Sequence, residues 1–102
     1  MTKAAVFSPA ARRELVAAIH WIKQDNPAAA RALSDGVLRA ARRIGDHVLV
    51  GASRPELANE RYCFLMVGGF PYVIVYNADH RPPLIMHILH GARDLPEVLR
   101  GL

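Results

Sequence analysis

A chain of 102 residues, 52% of them apolar, is long enough for one domain with its own core and needs no covalent staple, so residues 1–102 are expected to form a single domain. Its one cysteine, Cys63, excludes an intrachain disulfide, and no Cys/His spacing suggests zinc or any other metal site; nothing calls for a cofactor. No stretch approaches the roughly 18 apolar residues of a membrane span, the N-terminus lacks the apolar centre of a signal peptide, and the formal charge of +4 favours acidic partners or plain solubility.

Lys3-Ala4-Ala5-Val6-Phe7 reads as a short strand at a sheet edge. Ser8 is a good N-cap and Pro9 suits the first position of a helix, where its missing N–H would go unpaired anyway. In that helix Leu15, Ile19 and Ile22 recur at helical spacing and form one stripe. Trp21 lies to one side of the stripe, and Arg12, Arg13, Lys23 and Gln24 fall on a solvated face.

Asp25-Asn26-Pro27 breaks the pattern, with Asn26 capping and Pro27 opening a second helix. Leu33, Val37, Ala40 and Ile44 form its stripe, and Gly45 is placed to end it. So short a break implies an antiparallel helical hairpin, and the many alanines let the two helices approach closely. Arg31, Arg39, Arg42 and Arg43 make the second helix basic, with Asp35 one turn from Arg39. A charged outer face is the simpler reading of those arginines, and a nucleic-acid surface the sharper one.

Residues 46–60 read as a loop anchored by Val48-Leu49-Val50. From Arg61 to Leu95 come three strand-length apolar runs, RYCFLMV, FPYVIVYN and PLIMHILH, rich in residues that pack well on a pleated surface. Gly68-Gly69 is expected to close the first two runs as a tight two-residue hairpin. Asn77 to Pro83 is a second turn, so the product is a three-stranded antiparallel meander. In the middle strand Tyr72, Ile74 and Tyr76 share one face and Val73 and Val75 the other, so both faces need cover. Cys63 reads as a small buried hydrophobe. Asp94 can cap a last short helix with Leu95, Val98 and Leu99 as its apolar side. The order is β-α-α-β-β-β with a short terminal helix, an α+β architecture.

This order and these local sequences resemble the ParE branch of the RelE/ParE superfamily, the toxins of type II toxin–antitoxin systems. The resemblance rests on Ser8-Pro9-Ala10-Ala11-Arg12, Asn26-Pro27-Ala28-Ala29-Ala30, Arg54-Pro55-Glu56-Leu57, Arg61, Tyr72-Val73-Ile74-Val75-Tyr76, and above all His90-Gly91-Ala92-Arg93-Asp94-Leu95. One departure is Gly69-Phe70-Pro71, where the family usually carries a Gly-Arg-Tyr turn. The resemblance implies a cytoplasmic, non-enzymatic toxin that binds DNA gyrase. A cognate antitoxin would neutralise it in a hetero-oligomer, and operator DNA would be reached only through that antitoxin. Arg61, His90 and Arg93 are the expected target contacts. Trp21, Arg31 and Arg39 are the expected antitoxin contacts, and an unpaired sheet edge could also accept a strand from the partner.

The RelE branch of the same superfamily cuts mRNA, and Arg61, His90 and Arg93 are the residues that could act in that way. RNA cleavage needs a proton acceptor, cations on the phosphate and an acid for the leaving oxygen. His90 could serve as acid or base, or simply bond backbone at a strand end. RelE-type sites usually carry several lysines and a tyrosine near the C-terminus, whereas Lys3 and Lys23 are the only lysines here and no tyrosine follows Tyr76. The carboxylates show no paired spacing, and Ser8, Ser34 and Ser53 suggest no hydrolase.

Overall fold

A computed structural model describes residues 3–56, 58–91 and 93–100, the side chains of Val98 and Leu99 excepted. The expectations for Leu57, Ala92 and the Val98–Leu99 side chains lie outside the described residues.

The middle of the sheet is the strand Tyr72–Asn77, and its first five residues are all buried although they point alternately to two faces. It can be so only if both faces are covered. In chain order the elements are β1 (Val6–Phe7), α1 (Pro9–Lys23), α2 (Pro27–Asp46), β2 (Ala52–Ser53), β3 (Tyr62–Met66), β4 (Tyr72–Asn77), β5 (Leu84–His90) and α3 (Leu95–Leu99). The sheet order is β1-β5-β4-β3-β2, with β1 parallel to β5 and the other pairs antiparallel. The expected meander is β3-β4-β5, and β1 joins its edge as expected. β2 is an addition: two exposed residues pairing with Cys63 and Phe64, in a Gly-Ala-Ser stretch with no strand signal of its own.

The helix starts follow the sequence. Ser8 Oγ accepts from the Ala11 amide at 3.0 Å and Asn26 Oδ1 from the Ala29 amide at 3.1 Å. Leu33, Val37, Ala40 and Ile44 are all buried. On α1 the closest packing falls to Ala11 and Ala18, while Leu15 and Ile22 are partly buried at the core margin. The larger core lies between the hairpin and the sheet face that carries Tyr72, Ile74, Tyr76, Ile85 and Ile88. On the opposite face Phe64, Val73, Val75 and Leu89 are covered by Ala58, Tyr62 and Leu95. The loop before β3 and the start of α3 are therefore the cover that the two-faced β4 demanded.

Four expectations are corrected. Gly68-Gly69 is not a two-residue hairpin. Five residues, 67–71, separate β3 from β4, and within them the Phe70 amide donates to Val67 O at 3.1 Å, with Gly69 at φ 81° as the residue that accepts the left-handed conformation. Gly45 does not end α2, which runs to Asp46. A Cβ at Gly45 would overlap the Lys3 carbonyl, so the glycine lets the N-terminal segment cross the helix. Of the anchor Val48-Leu49-Val50, the two valines pack on the core but Leu49 is 76% exposed. Asp35 makes no ion pair with Arg39 among the described residues; the Arg39 guanidinium lies back beside Gly36. Cys63 is buried, as expected, and its thiol pKa is raised by that burial.

Candidate partner-binding surfaces

The edge of β5 is closed from α1. β1 pairs only with Leu84 and Ile85, so beyond them the strand's outward groups need other partners. Ser8 supplies two, its amide donating to Ile85 O and its hydroxyl to Met86 O, each at 2.9 Å. Glu14 supplies the next: its Oε1 accepts the Ile88 amide at 3.0 Å, and its Oε2 lies 3.0 Å from His87 Nδ1. At the strand end Asp94 Oδ2 accepts the His90 amide at 3.3 Å. Side chains thus occupy most of the places an added strand would take.

The turn after β5 is built around the same aspartate. Asp94 N donates to His90 O at 2.9 Å, and Gly91 N donates across to Pro71 O at 2.9 Å. The Arg93 amide donates to His90 Nδ1 at 3.2 Å, so the ring proton of the neutral histidine sits on Nε2. The His90 ring stands edge-on to Tyr72, with centroids 5.7 Å apart and planes at 79°. Arg93 holds Asp94 in a fork, Nε to Oδ1 at 3.0 Å and Nη2 to Oδ2 at 3.2 Å. The guanidinium depresses the Asp94 carboxyl pKa, and the carboxylate raises that of Arg93 in return. The Asp94 carboxylate is therefore turned back onto the strand end and Arg93; the helix it was expected to cap begins at Leu95.

Beside this turn stands Trp21, 67% exposed on the flank of α1. It separates two clefts. One, of about 560 Å³, runs between α1, β5 and α3 and is lined by Glu14, Ala18, Ile88 and Glu97. The other, of about 360 Å³, is lined by Ile22, Phe70, Pro71 and His90. Trp21, Tyr72 and Arg93 border both. Phe70 and Pro71 form a wall of the second cleft.

The structure thus brings His90, Arg93 and Trp21 together and leaves Arg61 elsewhere. Arg61 precedes β3, where its carbonyl accepts the Ala78 amide and its Nε donates to Asn59 Oδ1. Tyr62 pairs with Asn77, at the opposite end of β4 from Tyr72 and His90, about 16 Å away at strand rise. Arg31 and Arg39 are exposed on α2, on the helical layer and away from the turn. The expected antitoxin contacts therefore fall on two surfaces. Glu14 and Tyr72 were not legible as site residues: nothing in Arg12-Arg13-Glu14 marks the carboxylate as reaching a strand edge, and only the β4–β5 register sets Tyr72 against His90. Among the described residues no group of three or more His, Cys, Asp or Glu side chains could hold a metal ion, and no helix is long and apolar enough to cross a membrane.

A helical hairpin on one face of a small, mostly antiparallel sheet, with exposed clefts beside it, defines a protein of α+β class. A sequence model of the family described as "ParE toxin of type II toxin-antitoxin system, parDE" matches residues 5–95. The chain belongs to that family. Among solved structures it is similar to a chain of the "Chromosomal ParDE TA system from P. aeruginosa", with a TM-score of 0.69, 16% identity, and coverage of 87% of this chain and 96% of that one. At that identity the likeness shows the shared fold. No curated protein matches the sequence.

Proposed function

We propose that this protein, as a single domain, is a toxin that binds DNA gyrase and blocks its cycle without catalysing a reaction, and that a cognate antitoxin neutralises it in the cytoplasm. The family match over residues 5–95 carries this reading. The His90–Arg93 turn supports it as the target contact, because it sets a cation, an imidazole and the exposed Trp21 side by side where a protein partner can reach them. Aromatic and arginine side chains of this kind dominate protein interfaces. Trp21 would meet the antitoxin from the same face, which would let the antitoxin mask the target contact, while Arg31 and Arg39 would meet it from the helical layer. Operator DNA would be reached through the antitoxin only.

The alternative, ribosome-dependent mRNA cleavage, requires a base, an acid and phosphate-holding cations around one ribose. Arg61 stands at the far end of the sheet from His90 and Arg93, so the three offered for that chemistry do not converge. The test is supercoiling by purified gyrase with the toxin in excess. Inhibition with accumulated cleaved DNA is expected. Intact supercoiling together with cleaved mRNA in cells would make the protein a nuclease instead.

A further inference from the structure

Trp21 divides two clefts of opposite chemistry. The larger carries three carboxylates, Glu14, Asp94 and Glu97. The smaller carries none among the described residues: beside Trp21 its walls are Phe70 and Pro71, and its polar groups belong to Tyr72, His90 and Arg93. Those groups are rich in donors. His90 accepts the Arg93 amide at Nδ1, so Nε2 keeps its proton, and no described residue takes it. Of the five N–H groups of the Arg93 guanidinium, the fork to Asp94 uses one on Nε and one on Nη2, which leaves three. The walls are also held in place. The Phe70 amide donates to Val67 O and the Gly91 amide to Pro71 O, and Tyr72 pairs with His90 in the β4–β5 register. The turn that carries Phe70 and the turn that carries Arg93 are thus fastened together. Trp21 is exposed and meets no other aromatic ring among the described residues, so its indole face is open.

We propose that this smaller cleft binds a nucleoside phosphate, either free or as an unpaired nucleotide of a strand. The base would stack on the indole of Trp21 against the Phe70–Pro71 wall, as bases stack on aromatic platforms generally. The phosphate would take the free guanidinium N–H groups of Arg93 and the Nε2–H of His90. The volume of about 360 Å³ lies near the lower end of small-molecule sites and suits one nucleotide. Inorganic phosphate would use the donors and leave the ring walls wet. A purely apolar ligand would fill the walls and leave the donors without acceptors. A duplex offers phosphates but keeps its base faces covered by their neighbours. The carboxylates on the far side of Trp21 repel the same anion, so the smaller cleft is the one it would enter. The inference goes beyond the gyrase reading and does not rest on it.

Trp21 is the chain's single tryptophan, so its own fluorescence reads the cleft. The test is titration of the full chain with adenosine monophosphate, a single-stranded oligodeoxythymidine, the corresponding oligouridine, a DNA duplex and inorganic phosphate. Saturable quenching by the monophosphate or a single strand is expected, with duplex and inorganic phosphate at least about tenfold weaker. Tightest binding of the monophosphate would identify a free nucleotide as the ligand, and tightest binding of one of the strands a nucleic acid, DNA or RNA. Calorimetry with the tightest ligand should show a loss of about tenfold in Trp21→Ala, most of it restored in Trp21→Phe. The melting temperature should stay unchanged in both, since the side chain is exposed. Arg93→Gln should weaken binding about tenfold and flatten its dependence on salt. Arg42→Ala, which removes an exposed cation of α2 outside the cleft, should change neither. No quenching by any nucleotide probe at about 1 mM, equal binding of duplex or inorganic phosphate, or an affinity that survives Trp21→Ala or Arg93→Gln would each overturn the proposal. No gyrase enters these measurements, so this inference and the gyrase reading fail separately.

Discussion

Tyr76 holds Val48: its hydroxyl donates to the Val48 carbonyl at 2.7 Å and accepts the Gly51 amide at 2.9 Å. A buried side chain of the central strand thereby fixes the loop after α2, and β2 follows directly from Gly51. Tyr76→Phe would leave the amide and the carbonyl without that partner, at a cost of about 1–3 kcal/mol. Denaturant unfolding should show a lower midpoint with an unchanged slope, because the core keeps its ring. A midpoint equal to that of the parent would mean that water replaces the hydroxyl at no cost.

The same residue gives the fold an alkaline limit. Burial raises the Tyr76 pKa to about 12. A group whose folded pKa lies above its unfolded value contributes stability that is complete below the unfolded pKa and is lost as pH rises through the folded one. Stability should therefore decline between about pH 10 and 12, by no more than roughly 1.4 kcal/mol per pH unit from this group. The buried Cys63 thiol, also raised, adds a loss of the same sign. The decline attributable to Tyr76 is the difference between the parent and Tyr76→Phe over that range. Parallel curves for the two proteins would refute it.

At Gly45 two physical rules point in opposite directions. Alanine is the better helix former by about 1 kcal/mol, and on that ground Gly45→Ala would stabilise α2. The backbone of Lys3 and Ala4 occupies the place of the new Cβ, and backbone yields less readily than a flexible side chain. The clash should win, with destabilisation of about 1–3 kcal/mol visible as a lower melting temperature. A higher one would mean that the N-terminal segment can move aside.

That glycine also shows what the sequence could and could not tell. The two long helices, their N-caps Ser8 and Asn26, the meander and the two-faced burial of β4 were legible because each rests on local periodicity or on one capping side chain. Gly45 read as a helix end because a glycine at a chain crossing and a glycine at a C-cap look the same in one dimension. β2 was invisible because what fixes it is a tyrosine 25 residues away in sequence. The site was half legible: His90 and Arg93 are three residues apart and meet in one turn, whereas Arg61 is separated from them by the length of β4, which depends on pairing register.

Glu14 bridges α1 and β5 through the Ile88 amide and the His87 ring. Glu14→Ala should cost about 1–3 kcal/mol, the penalty for a part-buried amide left without its acceptor. It should also speed hydrogen exchange at Ile88 relative to amides of β4. Glu14→Gln keeps an acceptor oxygen and should restore most of the protection. If Ile88 exchanges no faster in the alanine variant, the strand edge is guarded by something other than this carboxylate.

On the proposed reading as a gyrase inhibitor, the placement of the arginines separates the effects expected of them. Arg93 is 62% exposed at its side chain and is paired with Asp94 on the surface, where solvent screens the pair, so its removal should leave the melting temperature nearly unchanged. Arg93→Ala should nevertheless weaken gyrase inhibition about tenfold or more, since the guanidinium borders both clefts beside Trp21. Arg61→Ala, at the far end of the sheet, should change inhibition by less than about threefold if target contact is confined to the His90–Arg93 turn. Equal losses for the two variants would mean that gyrase spans the whole length of β4. An unchanged Arg93→Ala would remove the turn from the target surface and leave it the structural role of fastening α3 to the end of β5.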